Sequence, residues 1–91
     1  MNSTLRDSDK ITMTHTGLLP GKKGKLIHVS FERNTEHGKD YAELVLPSRN
    51  VLSSKGFDEE ELVQLQFYLK TQEKDIIANA KQINHDMIFK L

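Results

Sequence analysis

The heptapeptide at residues 56–62 constrains the fold most, because it marks the change from extended chain to helix. Asp58 is the residue type that caps the first free N–H groups of a helix, and Glu61 three residues later can complete a capping box. Phe57 and Leu62 occupy the two positions of a hydrophobic staple around that cap. The sequence therefore predicts that a helix begins at Asp58.

Length and composition bound the class of protein. The chain has 91 residues, with 13 Lys and Arg against 13 Asp and Glu, and no cysteine. A chain of this size forms one domain, and balanced charge argues against a strongly basic nucleic-acid binder. The lack of cysteine excludes disulfides and thiolate metal sites, and no apolar run approaches the ~20 residues of a membrane-spanning helix. We expect a cytoplasmic protein that uses no cofactor and no membrane.

Alternating apolar and polar residues predict the strands. Residues 1–9 are polar and predict a flexible leader, and residues 10–91 are taken as one domain. Strands are predicted at about residues 11–17, 25–33 and 40–47, with a turn at 17–24. Residues 48–54 fit either a short edge strand or a loop.

The spacing of apolar residues after residue 58 predicts helix, interrupted by the polar run 70–75. Val63 and Phe67 add a second apolar side to the first half, and a helix that is apolar on two sides is usually covered on both. We therefore predict two helices, at about 58–70 and 73–83, the second folding back on the first. One long kinked helix stays open as the alternative, since neither Gly nor Pro forces a break.

Together these elements predict an α+β fold. It consists of an antiparallel sheet of three or four strands with two C-terminal helices packed on one face. The predicted buried face of the sheet comprises Ile27, Val29, Phe31, Ala42, Leu44 and Leu46. The predicted helix residues that cover it are Leu62, Leu65, Leu69, Ile76, Ala80 and Ile83.

Two groups of polar residues are candidate sites. His28 and Glu43 lie on the polar faces of neighbouring predicted strands and can meet as a proton-transfer pair, although an ordinary cross-strand surface pair is the favoured explanation. A basic edge of the predicted sheet offers phosphate contacts, although interleaved acids weaken its positive field. The residues of this candidate nucleic-acid site are Lys22, Lys23, Lys25, Arg33 and Lys39.

The end of the chain is a candidate protein interface. Four large apolar residues fall within the last five positions, in a chain whose core already has enough apolar residues. Exposed apolar clusters on soluble proteins generally mark contact sites. The candidate interface residues are Met87, Ile88, Phe89 and Leu91.

Residues of about 11–84 resemble small bacterial proteins of unknown function, with a β-meander followed by a Gly-Phe-x-x-x-Glu-Leu helix start. The matching stretches are 28–31, 41–43, 56–62 and 68–70. The resemblance implies no reaction, cofactor or catalytic residue. Some similar proteins occur in regulatory or toxin–antitoxin-like contexts, and this favours a protein partner.

From these observations we predict a small non-enzymatic interaction or regulatory module, with a homodimer as one form of it. A nucleic-acid-associated accessory domain is the alternative, and a small enzyme with a His/Glu site is the second alternative.

Overall fold

A computed structural model describes residues 10–89, and the side chains of residues 10–85. Its elements are β1 (Ile11–His15), β2 (Leu19–Gly21), β3 (Gly24–Thr35), β4 (Gly38–Leu46), β5 (Val51–Lys55) and α1 (Glu59–Phe89). The strands form one antiparallel sheet in the order β1-β3-β4-β5, and β2 pairs with the first residues of β3. The predicted α+β fold with an antiparallel sheet is confirmed, but the sheet has five strands where three or four were predicted, because residues 19–21 form β2. The predicted leader, residues 1–9, lies outside the described residues.

The central hairpin of β3 and β4 builds the core. Val29 pairs with Leu44 and Phe31 with Ala42, so residues that alternate along each strand point to the same face. All six residues predicted for the buried sheet face are buried, with exposures of 2% or less. The opposite face of the sheet carries the polar members of the alternation and has no helix packed on it among the described residues.

Two connections differ from the predicted turns. Residues 19–21, predicted as part of a turn, form β2 and pair with residues 24–26 of β3, so only Lys22 and Lys23 remain as the turn. The register shifts by one residue between β1 and β2, where the Thr16 N–H donates to the His28 carbonyl at 3.0 Å. Of the two alternatives for residues 48–54, the edge strand is the one that forms, as β5 on β4.

The prediction of two helices is wrong: α1 is one continuous helix of 31 residues. Glu73 in the polar run that suggested a break, and Gln66 before it, contact the connection between β4 and β5. Glu73 forms an ion pair with Arg49 at 3.1 Å, and the Gln66 side-chain amide donates to the Arg49 carbonyl at 2.8 Å. The polar residues that interrupt the apolar stripe therefore face a polar loop, and α1 continues past this loop without a break.

The apolar stripe of α1 covers the sheet as far as Ala80. Leu65, Leu69, Ile76 and Ala80 are buried and Leu62 is half-buried, as predicted. Ile83 was predicted to face the sheet but is 36% exposed. Its Cγ2 still lies beside Gly17, and the neighbouring Asn84 adds polar contacts there, because its side-chain amide accepts from the Leu18 N–H at 2.7 Å and donates to the Leu18 carbonyl at 3.2 Å.

The continuity of α1 can be tested at Thr71, an exposed residue in the polar run. Proline in a helix interior removes a hydrogen bond and clashes with the preceding turn, so Thr71→Pro should lower the free energy of unfolding by about 3 kcal/mol or more. Thr71→Ala, the matched control, should change it by less than about 1 kcal/mol. Urea denaturation followed by circular dichroism measures both, and equal stability of the two variants would indicate a break at this position.

Candidate functional site

The most highly connected polar residue lies where α1 begins. Arg33, near the end of β3, is 8% exposed. Its Nη1 donates to Oε2 of Glu61 at 2.7 Å, and its Nε and Nη2 donate to Oδ2 of Asp40 at 3.0 and 2.7 Å. The guanidinium therefore joins β3, β4 and the first turn of α1.

The same Glu61 also completes the predicted capping box. The Asp58 N–H donates to Oε1 of Glu61 at 3.0 Å, and the Glu61 N–H donates to Oδ1 of Asp58 at 2.8 Å. The Phe57 ring, predicted as half of a staple, is buried and lies 4.4 Å from the centre of the Arg33 guanidinium. One carboxylate thus caps the helix and binds the sheet, while an aromatic ring covers the shared cation.

The electrostatics of this group favour the charged guanidinium. The hydrogen bond from Arg33 to Glu61 raises the pKa of the guanidinium above its already high usual value, and the hydrogen bond to Asp40 raises it further, against the opposing effect of burial. The two carboxylates together carry one more charge than the arginine. Glu61 lies in the first helical turn, where the positive end of the helix dipole offsets part of that excess.

Gly56 is the remaining member of what we call the helix-start cluster, which comprises Arg33, Asp40, Gly56, Phe57, Asp58 and Glu61. Its φ is 94°, in the region that favours glycine, and a Cβ there would collide with the Asp40 carboxylate. Its carbonyl accepts from Nη2 of Arg33 at 3.2 Å. Gly56, Phe57, Asp58 and Glu61 of the heptapeptide therefore have a structural role, which is to join the start of α1 to the sheet.

The candidate proton-transfer pair does come together. Nδ1 of His28 lies 2.7 Å from Oε2 of Glu43 across the β3–β4 ladder, and both side chains are just over one-third exposed. The pair lies on the open face of the sheet, next to Ser30 in the register. A small pocket of about 120 Å³ lies elsewhere, lined by Leu18, Lys25, Leu26, Ile27, Leu46, Pro47 and Ile77. The geometry is that of a partly exposed histidine oriented by a carboxylate.

The candidate phosphate-binding residues do not form one surface. Lys22, Lys23 and Lys25 are exposed around the β2–β3 turn, whereas Lys39 lies at the opposite end of β3 and pairs with Glu32 at 3.3 Å. At ~3.3 Å per residue, the length of β3 separates the two ends by roughly 30 Å. Arg33 is enclosed in the helix-start cluster and offers no free donor surface to a phosphate.

The structure exposes an apolar patch on α1 that the sequence predicted to be covered. Val63 and Phe67 were expected beneath a second helix, but they are 61% and 65% exposed, because α1 does not fold back. Nearby, Tyr68 is partly exposed and its ring meets Phe31 edge to face, with centroids 6.3 Å apart. We call Val63 and Phe67 the outer patch, since they lie one helical turn apart on the side away from the sheet.

The candidate interface at the C-terminus is only partly described. The backbone of α1 is helical to Phe89, but the side chains of Met87, Ile88 and Phe89, and the whole of Leu91, lie outside the described part of the chain. Their role as an interface stays a prediction.

Comparison with known proteins finds no match to a protein-family model, to a curated protein sequence or to a solved structure. The resemblance to small bacterial proteins therefore stays a prediction. Within residues 10–89, no helix has the length and apolarity needed to cross a membrane, and no three His, Asp or Glu residues are grouped as metal ligands.

Replacing Arg33 tests how much the helix-start cluster contributes to the free energy of unfolding. Arg33→Met leaves two carboxylates without their buried partner, so we expect the free energy of unfolding to fall by about 3–5 kcal/mol. Lys39→Met removes only the exposed pair with Glu32 and should cost less than about 1 kcal/mol. Chemical denaturation of both proteins measures the difference, and a similar loss in both would show that the buried pairs contribute no special stability.

Substitutions at two glycines distinguish the stability cost of backbone strain from that of a steric clash. Gly38 and Gly56 both have positive φ, 133° and 94°, but open space surrounds the Cβ position at Gly38. Gly38→Ala should therefore cost about 1–2 kcal/mol for the backbone alone. Gly56→Ala should cost about 1–3 kcal/mol more, because the Asp40 carboxylate must move. Thermal and urea denaturation measure both variants, and equal losses would argue against the close approach at Gly56.

Proposed function

We propose that this protein is a small non-enzymatic protein-interaction module whose contact surface is the outer face of α1. The exposure of the outer patch carries the proposal. Single exposed apolar residues are normal, but Val63 and Phe67 are the two most exposed large apolar residues described, and they adjoin on one rigid helix. Burying an aromatic and an aliphatic side chain against a partner is a common source of binding energy.

The end of α1 is the second part of this proposal. The helix continues past Asn84, whose side-chain amide bonds to the backbone of Leu18. Met87, Ile88, Phe89 and Leu91 come after this residue in the sequence, and we propose that they add to the contact surface.

The two alternative functions have less support. Of the five residues predicted for a nucleic-acid site, three lysines remain together at the β2–β3 turn. Lys39 lies at the far end of the sheet, and Arg33 is enclosed. An enzyme that uses His28 and Glu43 needs a place for substrate, and the pocket found lies beside other residues. Both observations favour a binding role.

Site-specific photocrosslinking tests the proposed surface. We place benzoylphenylalanine at position 67 and, as the matched aromatic control, at Tyr41, which is 40% exposed on the open face of the sheet. In the native host, position 67 should give discrete protein adducts, to a second copy or to another protein, and position 41 should not. If position 67 gives no adduct, or both positions give the same ones, the outer face of α1 is not the contact surface.

A further inference from the structure

The outer face of α1 carries a charged and apolar pattern that is complementary to itself. Glu60, Val63, Phe67 and Lys70 are all exposed, and we call these four residues the seam. Their spacing of three, four and three residues is that of the core positions of a coiled coil, so they form one line along the helix. An acid lies at one end of this line, a base at the other, and the outer patch in between.

We propose that the seam binds the seam of a second copy of this chain, with the two helices antiparallel about a two-fold axis. This inference rests on the proposed function, because it names the partner for that surface. With the axis level with Leu65, Glu60 of one copy lies opposite Lys70 of the other, and Val63 lies opposite Phe67. Symmetry repeats each contact, which gives two apolar layers flanked by two ion pairs.

The charges select the antiparallel orientation. If the helices were parallel and in register, Glu60 would lie beside Glu60 of the second copy and Lys70 beside Lys70, and like charges repel. Reversing one helix converts both repulsions into attractions. The side chains that flank the outer patch, Gln64 and Gln66, are uncharged and do not oppose this arrangement.

The fold permits two copies to approach in this way. Leu65 and Leu69 of α1 are buried toward the sheet, whereas the seam is exposed on the other side. Two copies then stack with their sheets outermost and their helices in contact. At ~1.5 Å per residue the seam spans about 15 Å, a short contact that gives a weak, concentration-dependent dimer.

Charge reversal tests the proposal on the purified full chain. Sedimentation velocity over a range of protein concentrations should show a reversible monomer–dimer equilibrium for the wild type. Glu60→Lys alone, or Lys70→Glu alone, places like charges opposite each other at two symmetric positions, and each should raise the dimer Kd at least about tenfold. The double variant E60K/K70E should dimerise again.

The mixture of the two single variants gives the sharpest result. Glu60→Lys and Lys70→Glu chains have complementary seams, so an equimolar mixture should form a heterodimer where neither chain forms a homodimer. Asp75→Lys is the matched control, because it makes the same charge change at an exposed position of α1 that neither belongs to the seam nor flanks it. It should leave the dimer Kd within about twofold of the wild-type value, since its charge lies outside the contact. Circular dichroism of each variant verifies that the fold is retained.

Three outcomes overturn the inference. A protein that stays monomeric at every concentration excludes the second copy as partner. A dimer that forms regardless of Glu60→Lys and Lys70→Glu uses another surface. A double variant that remains monomeric shows that charge pairing does not set the contact. In each case, adducts at position 67 to a different protein in the native host leave the proposed function intact.

Discussion

The enclosed guanidinium of Arg33 joins the two layers of the molecule at the point where α1 starts. It holds Asp40 of the neighbouring strand and Glu61 of the helix, and Phe57 covers it. Because Glu61 also caps α1, the helix cannot form its first turn independently of the sheet without losing one of these contacts. The position of every later turn, and hence the direction in which the outer patch points, follows from this junction. Breaking buried charge pairs is costly, so the junction strongly favours this placement of the start of α1 on the sheet.

The sequence predicts the parts of the structure whose conformation is determined by the pattern of residues that are close together in the chain. The alternation in β3 and β4 gives the buried face, and the capping residues give the start of α1. Contacts between distant residues decided the rest. The polar run 70–75 suggested a break in α1 because the ion pair between Glu73 and Arg49, residues far apart in the sequence, has no local signal. Arg33 was assigned to the surface by its charge, although its odd-numbered position on β3, in step with Val29 and Phe31, already placed it on the buried face.

The candidate functional surfaces divide between the two layers. On the open face of the sheet, His28 and Glu43 form an oriented cross-strand pair, and the pocket of about 120 Å³ is lined by other residues. On the outer face of α1, apolar side chains are exposed on a helix whose inner face is fully engaged. This contrast also explains how neighbouring acids take different roles. Glu61 turns inward to Arg33, whereas Glu60 turns outward, where its charge is available to another molecule.

The anchoring of α1 at both Arg33 and Arg49 has a thermodynamic consequence for recognition. A peptide that must fold as it binds spends part of its interaction energy on ordering its backbone. Here the backbone of residues 59–73 is already ordered by the ion pairs at its start and along its side. Only a few side-chain rotamers then lose freedom when a ligand arrives. Such preorganisation allows a surface of modest area to be selective.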